Sequence, residues 1–213
     1  MGGLSPSREG GDPNAPGGVT ACNGAPQTGL VYRNSETEPY IAVNPTNAMN
    51  MIAAWHQDRW SNGGGQSVGA AYSMDGGATW QQLTAGLPAE PLGRIGLATA
   101  PTKANRVYAI VDAEDVRNPD GTVVHRGGLF RSEDAGATWT KISGDSRVWG
   151  RGWYFSKVAV DPHNADIVYV SNTSLYKSTD GGQTWTPIKG APGGDDYHQL
   201  WIDPADSNRM VLG

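Results

Sequence analysis

Apolar residues along this chain fall into short runs that come in pairs, with a proline-containing turn between the two runs of each pair. The pairs read YIAVNPTNAMNMIAAW, GLATAPTKANRVYAIV, KVAVDPHNADIVYVSN and QLWIDPADSNRMVLG. Short apolar or alternating runs bounded by Pro, Asn and Asp predict β-strands rather than helices. The turn prolines are Pro45, Pro101, Pro162 and Pro204, so the pairs recur after 56, 61 and 42 residues. Intervals of about 40–60 residues with several strands per unit are typical of β-propeller blades.

Each complete unit contains four strand candidates, which in the third unit are KVAVD, IVYVS, TSLYKS and TWTPI. In a propeller blade the first strand lies innermost, along the central channel. We therefore predict an all-β fold, a β-propeller of four-stranded antiparallel blades with about 3.5 blades in this chain. The predicted propeller region is 29–213, with blades at 40–83, 96–142 and 157–188 and a half blade at 199–213.

Two segments differ from this pattern. Residues 1–28 are rich in Gly, Pro, Ser and Asn, and we predict a flexible lead-in. It contains the single cysteine, Cys22, which excludes an intrachain disulfide. The insert DAEDVRNPDGTVVHRGG in the second unit has a turn signal at Pro119–Gly121 and predicts a projecting hairpin.

Three and a half blades do not close a ring, because closed propellers typically have 4 to 8 blades. Three explanations fit the sequence. The chain is a piece of a longer propeller, the segment GLVYRN with the residues before it completes the last blade, or two copies associate as a homodimer with seven blades.

An octapeptide recurs three times where the third strand of a unit turns into the fourth, as SMDGGATW, SEDAGATW and STDGGQTW. Its Asp can accept hydrogen bonds from the following turn, the Gly at its fifth position permits an unusual backbone angle, and its Trp can pack between blades. Calcium binding is the alternative, but the octapeptides lack the alternating ligands of a calcium loop. We predict a structural role for Ser73, Asp75, Gly77, Trp80, Ser132, Asp134, Gly136, Trp139, Ser178, Asp180, Gly182 and Trp185.

The three octapeptides resemble the Asp-box, or bacterial neuraminidase repeat, of sialidases, xyloglucanase-like glycoside hydrolases and sortilin-type propellers. The resemblance covers roughly residues 40–213. It implies that the box is a folding element remote from the ligand face, and that the protein is extracellular or periplasmic. The N-terminus MGGLSPSREGG itself has no apolar signal region. A sialidase-like mechanism would need three arginines, of which only Arg94, in GRIG, loosely resembles the Arg-Ile-Pro phrase.

The residues just before the predicted inner strands should meet at one mouth of the channel. Carboxylates there could act as acid, base or nucleophile, arginine could pair with a carboxylate ligand, and aromatic rings could stack on sugars. The predicted catalytic residues are Asp195, Asp196 and Glu38. The predicted ligand-binding residues are Arg94, Trp149, Arg151, Trp153, Tyr154 and His198. Each has a structural alternative: the two aspartates shape a loop, His198 is a packed residue, and the tryptophans pack between blades.

Composition narrows the classes of partner. The net charge of −5 and the scattered basic residues argue against nucleic acid. No apolar run approaches the length of a membrane span. Because zinc-protease, P-loop and dinucleotide-binding motifs are missing from the sequence, we expect no metal and no cofactor.

Three hypotheses of function follow. The first is a glycan-directed, glycoside hydrolase-like propeller whose catalytic activity is left open, since two carboxylates about 5–10 Å apart are needed and adjacent Asp195 and Asp196 would require a partner such as Glu38. The second is a non-catalytic scaffold that binds a peptide or protein, as in sortilin-type propellers. The third is a piece of a longer or joined sequence without activity of its own.

Overall fold

The computed structural model describes residues 31–32, 37–60, 65–89, 92–152, 155, 157–190 and 197–213. Its first sheet contains β1 (Val31–Tyr32), β2 (Thr37–Val43), β3 (Met51–Trp60), β4 (Gly65–Ser73) and β5 (Gln81–Gln82). All pairs are antiparallel, and both β1 and β2 pair with the same strand, β3, at opposite ends of it. The sheet therefore has four strand positions from its inner to its outer edge.

Two further sheets repeat this four-stranded order. The second contains β6 (Leu92–Thr99), β7 (Val107–Ala113), β10 (Gly128–Ser132) and β11 (Thr140–Ser143). The segment of chain that connects β7 to β10 forms a separate hairpin of β8 (Val116–Arg117) and β9 (Val123–Val124). The third contains β12 (Lys157–Val160), β13 (Val168–Ser171), β14 (Leu175–Ser178) and β15 (Thr186–Lys189). A two-stranded sheet of β16 (Leu200–Asp203) and β17 (Asp206–Leu212) follows.

The predicted fold class is confirmed, with three complete sheets and half of a fourth among the described residues. The insert forms the predicted hairpin, closed by a turn in which Gly121 N–H donates to Asn118 O at 2.9 Å. The described residues include one short helix, α1 (Ser146–Trp149). The alternative that GLVYRN and the residues before it complete the last blade has no support in the described residues, because β1 (Val31–Tyr32) pairs with β3 of the first blade. Residues 1–28 lie outside the described residues.

Apolar layers between successive sheets form the core. Along β7 the side chains alternate, so that Ala109 and Val111 pack toward the first blade while Tyr108 and Ile110 pack toward the third. This alternation is the period-two pattern of a strand that is buried on both faces. Each core layer thus joins two neighbouring blades, and a third layer joins β13 to β16 and β17.

The inner strands of the blades lie side by side. Strands β2, β6, β12 and β16 contact one another in that order, while each later strand of a blade lies farther out in its sheet. This arrangement is the inner wall of a propeller channel, as predicted.

Candidate functional site

The repeated octapeptide forms the same turn in all three blades. In the third, Ser178 Oγ donates to Asp180 Oδ1 at 2.7 Å and accepts from Gly182 N–H at 2.8 Å. Thr184 adds two contacts to the carboxylate, its N–H 3.0 Å from Oδ1 and its hydroxyl 2.5 Å from Oδ2, and in this copy Gln183 N–H also donates to Oδ1 at 3.0 Å. The first and second copies show the same Ser, Gly and Thr bonds.

These hydrogen bonds occupy the carboxylate of the Asp in each octapeptide. Burial alone would raise the pKa of Asp180, but hydrogen bonds from Thr184, Ser178 and Gln183 lower it to about 2. In the first copy, hydrogen bonds from the Thr79 side chain and backbone and from Ser73 lower the pKa of Asp75 to about 2. A carboxylate held ionised by donors of its own turn is a poor proton donor, and it serves as a turn lock.

The octapeptides also attach to the proline turns. The residue after each Asp donates its backbone N–H to that turn, from Gly76 to Met49 O at 2.8 Å, from Ala135 to Asn105 O at 2.8 Å and from Gly181 to Asp166 O at 2.9 Å. The proline turns follow the inner strands, so the octapeptides lie at the channel end opposite to the starts of those strands. Any ligand chemistry at the strand starts is therefore remote from the repeated aspartates.

Two adjoining recesses lie along the inner strands, with volumes of about 310 and 300 Å³. They share Tyr40 of β2 together with Lys157 and Val158 of β12. Arg94 of β6 lines the second recess, and Gln199 lines the first. Lys157 Nζ lies 5.1 Å from the centre of the Tyr40 ring, over its face. The recesses thus bring together residues from three blades and the half blade.

The recesses are lined by two positively charged side chains, Lys157 and Arg94. Burial, and then the nearby Arg94 guanidinium, lower the pKa of Lys157. Both causes penalise the ammonium group, because it is taken out of water and placed near a second positive charge. An anion entering the recess would offset both penalties.

The structure brings only some of the predicted site residues to this channel. Arg94 lines it as predicted. His198 is half-buried and stacks on Phe155 with ring centres 4.9 Å apart. The Trp149 ring packs in the core beside the third blade, as the structural alternative for this residue had it, and its Nε1–H donates to Gly144 O at 3.0 Å. Arg151 is exposed. Asp195, Asp196, Trp153 and Tyr154 lie outside the described residues, as does the side chain of Glu38.

Residues 176–187, which contain the third octapeptide, match the family described as BNR/Asp-box repeat. This chain carries Asp-box repeats. The resemblance seen in the sequence is therefore confirmed, and the bonding described above is the internal structure of the box. No curated protein sequence matches the chain.

Solved structures that resemble this Asp-box chain are propeller proteins. The GH74 xyloglucanase of Xanthomonas campestris shares 22% identity with a TM-score of 0.50, over 75% of this chain and 24% of the xyloglucanase. YCF48 of Cyanidioschyzon merolae shares 16% identity with a TM-score of 0.48, over 91% of this chain and 51% of YCF48. A Trypanosoma rangeli sialidase shares 15% identity with a TM-score of 0.35, over 91% and 44%. The chain thus spans a quarter to a half of these proteins, and the xyloglucanase likeness supports the β-propeller fold.

Other features of the described residues bear on partners. No group of three or more His, Cys, Asp or Glu side chains there is arranged to hold a metal ion. Within the same part of the chain, no helix is both long and apolar enough to cross a membrane.

Asp112 is a half-buried carboxylate near Arg94 that the sequence reasoning missed. It lies near the end of β7 between two glycines: a Cβ on Gly93 would lie 2.3 Å from its Oδ2, and a Cβ on Gly152 would lie 2.6 Å from its own Cβ. Burial, with a smaller contribution from Asp115, raises the pKa of Asp112 to about 6. The available signal was a lone carboxylate in the otherwise apolar strand VYAIVDA. Its neighbour Gly93 directly precedes Arg94, so Asp112 lies close to the strand that carries Arg94 into the second recess.

Replacing Asp112 with asparagine should stabilise the fold at neutral pH by about 1 kcal/mol, after allowance for partial solvent screening. The folded-state pKa is raised above the usual aspartate value of 3.8, so ionisation of Asp112 costs stability as pH rises. The gain of the variant should therefore be absent below pH 4, grow between pH 4 and 6, and be complete above pH 6. Urea unfolding across this range measures it.

The matched control for that experiment is Asp120→Asn in the projecting hairpin. Hydrogen bonds from Thr122 lower the pKa of Asp120, so its replacement should produce no gain at neutral pH. A gain from Asp112→Asn that is the same at pH 3.5 and pH 7 would show that packing, rather than ionisation, sets the effect.

Proposed function

We propose that this chain binds a carboxylate-bearing saccharide at the channel mouth, through Arg94 and Lys157. The observation that carries the proposal is the recess of about 300 Å³ lined by these two cations and by the Tyr40 ring. Its volume is at the lower end of the range for small-ligand sites, about 300–1,000 Å³. A single acidic sugar unit with part of its neighbour is a ligand of this scale.

The presence of Arg94 in the recess favours a ligand with a carboxylate group. A guanidinium presents paired N–H donors that match the two oxygens of a carboxylate, and a lysine adds a point charge. Burial, and then the nearby positive charge of Arg94, lower the pKa of Lys157, and a carboxylate bound beside its ammonium group would act against both effects.

The Tyr40 ring supports the saccharide character of the ligand. It is 44% exposed, far more than the tyrosines packed between blades, and it lies within the recesses. Aromatic rings with one open face stack on the C–H faces of sugars. The Xanthomonas campestris protein of similar fold is named as a xyloglucanase, which agrees with a saccharide ligand. Hydrolysis forms no part of the proposal.

Calorimetric titration with 3′-sialyllactose and with lactose tests this function. We expect binding of the acidic trisaccharide, no measurable binding of the neutral disaccharide, and weaker binding as salt is raised. Arg94→Ala and Lys157→Ala should each weaken binding about 10- to 100-fold, since a charged hydrogen bond contributes about 1.5–3 kcal/mol.

The control variant is Lys189→Ala, which removes an exposed cation of the outer strand β15 and should leave the affinity unchanged. Equal binding of lactose, or an acidic trisaccharide affinity that does not depend on Arg94, would contradict the proposal. An acidic peptide that binds through Arg94 while both sugars fail would assign the recess to a peptide instead.

A further inference from the structure

The two end faces of the blade stack carry exposed apolar residues. Ile41 and Val43 on the first blade are 55% and 41% exposed, and Trp201 and Val211 on the half blade are 51% and 65% exposed. Exposed apolar patches of this kind mark interaction surfaces. Because the blades repeat, the contacts between neighbouring blades within one chain indicate what kind of surface would cover these end faces.

The first example is the face that each blade turns toward the next. It is built around a cross-strand pair of the two inner strands: Ala42 with Ile52, Ala98 with Tyr108, and Ala159 with Tyr169. The larger partner of each pair is at most 1% exposed, because the following blade covers it. In the half blade the same pair is Trp201 with Val211, and it faces solvent.

The second example is the face that each blade turns toward the one before. Its cross-strand pairs are Leu97 with Ala109 and Val158 with Val170, which are buried against the preceding blade. The first blade has the pair Ile41 with Ala53 at this position. Its box Trp agrees: Trp139 and Trp185 are buried, whereas Trp80 is only half-buried.

A polar contact follows the same rule. Arg106, just before β7, extends to the third blade, where it contacts Asp166 and lies 3.5 Å from Ala165 O. The residue at this position in the half blade is also an arginine, Arg209, whose side chain is 73% exposed and forms an ion pair with Asp203 of the same copy at 3.0 Å. The first-blade carbonyl that corresponds to Ala165 O belongs to Ala48.

From these correspondences we infer that the half-blade face of one copy packs against the first-blade face of a second copy, head to tail, so that two copies close one ring. Trp201 and Val211 meet Ile41, and Arg209 of one copy reaches Ala48 O of the other. The contact is heterologous, and a twofold axis along the channel repeats it. In this ring the two half blades occupy separate positions and do not combine into one blade. The ring therefore has eight blade positions, not the seven expected if the two halves formed one blade.

Light scattering on the 213-residue chain tests this association. We expect a mass twice the 22.5 kDa of one chain. A single-chain mass would overturn the inference and leave the end faces to further blades or another protein. A species larger than two copies would overturn the closure into a two-copy ring.

Two charge variants separate head-to-tail contact from other dimers. Ile41→Glu damages only the first-blade face, and Val211→Glu damages only the half-blade face. Both residues are exposed in the single chain, so the fold should persist, as circular dichroism would verify. In a head-to-tail ring every contact uses one face of each kind, so each variant alone should be a single chain.

An equimolar mixture of the two variants retains one intact contact. The Ile41→Glu copy still offers its half-blade face, and the Val211→Glu copy still offers its first-blade face, so the mixture should form an open two-copy complex. The control Val123→Glu, on an exposed apolar residue of the projecting hairpin, should remain a dimer. A variant that dimerises alone, or a mixture that fails to associate, would overturn the head-to-tail contact.

Discussion

Replacing Gly182 with alanine should lower the free energy of unfolding by about 2–5 kcal/mol. This box glycine has φ +94°, where an L side chain costs about 1–2 kcal/mol, and a Cβ there would lie 2.3 Å from Leu129 Cδ2 of the preceding blade. Relieving that overlap would displace the fully buried Leu129 side chain, and overpacking of this kind costs a further 1–3 kcal/mol or so.

The other two boxes provide matched controls. Gly77 has φ +89°, but a Cβ there would meet no atom closer than 3.6 Å. Gly136 has φ +100°, with the nearest atom, Ile52 Cδ1, at 3.0 Å. Urea unfolding should therefore rank the alanine variants as Gly77 least, Gly136 next and Gly182 most destabilised. Equal losses at all three positions would show that backbone conformation, and not contact between blades, determines the requirement for glycine.

Replacing Asp180 with alanine should lower the free energy of unfolding by about 2 kcal/mol, because several partly exposed hydrogen bonds within one turn are lost, each contributing about 0.5–1 kcal/mol. The folded-state pKa of Asp180, about 2, lies below the usual aspartate value of 3.8. Its contribution is therefore present above pH 4 and is lost as pH falls toward 2. Thermal unfolding of the wild type and the variant at pH 7 and pH 2.5 measures both effects.

Asp120→Ala is the control for this variant. Asp120 also accepts hydrogen bonds from the N–H and hydroxyl of a threonine two residues later, at 2.9 and 2.6 Å, but in a hairpin that projects from the blades. Its loss should change the melting temperature little. If the two variants destabilise the protein equally, the box would have no special role in joining the outer strand of the blade to its proline turn.

The fold was predictable because its signals are local and repeated. The prolines at 45, 101, 162 and 204 and the three boxes set the strand register in every unit, and the structure has the predicted inner strands and half blade. The pairing of Val31 and Tyr32 with Arg59 and Trp60 was not predictable, since a two-residue strand has no periodicity to detect.

The candidate site was harder to predict, because it depends on contacts between blades. Arg94 could be found from its place before an inner strand. The sequence left ligand contact and packing between blades as alternatives for Trp149, since its neighbour Gly127 comes from the insert more than twenty residues earlier. Lys157 opens an inner strand, yet its approach to Tyr40 joins residues of the third and first blades and leaves no local signal. Asp112 was overlooked although it is the one carboxylate in the otherwise apolar strand VYAIVDA.

We propose that the Asp-box maintains the fold while the channel mouth binds the ligand. The most direct test of this division of roles is calorimetric titration of 3′-sialyllactose into Arg94→Ala and Asp180→Ala, each at a temperature where the variant is folded. The account predicts that Arg94→Ala loses about 10- to 100-fold in affinity, and that Asp180→Ala retains wild-type affinity despite its lower stability. Wild-type affinity in Arg94→Ala, or lost binding in folded Asp180→Ala, would contradict it.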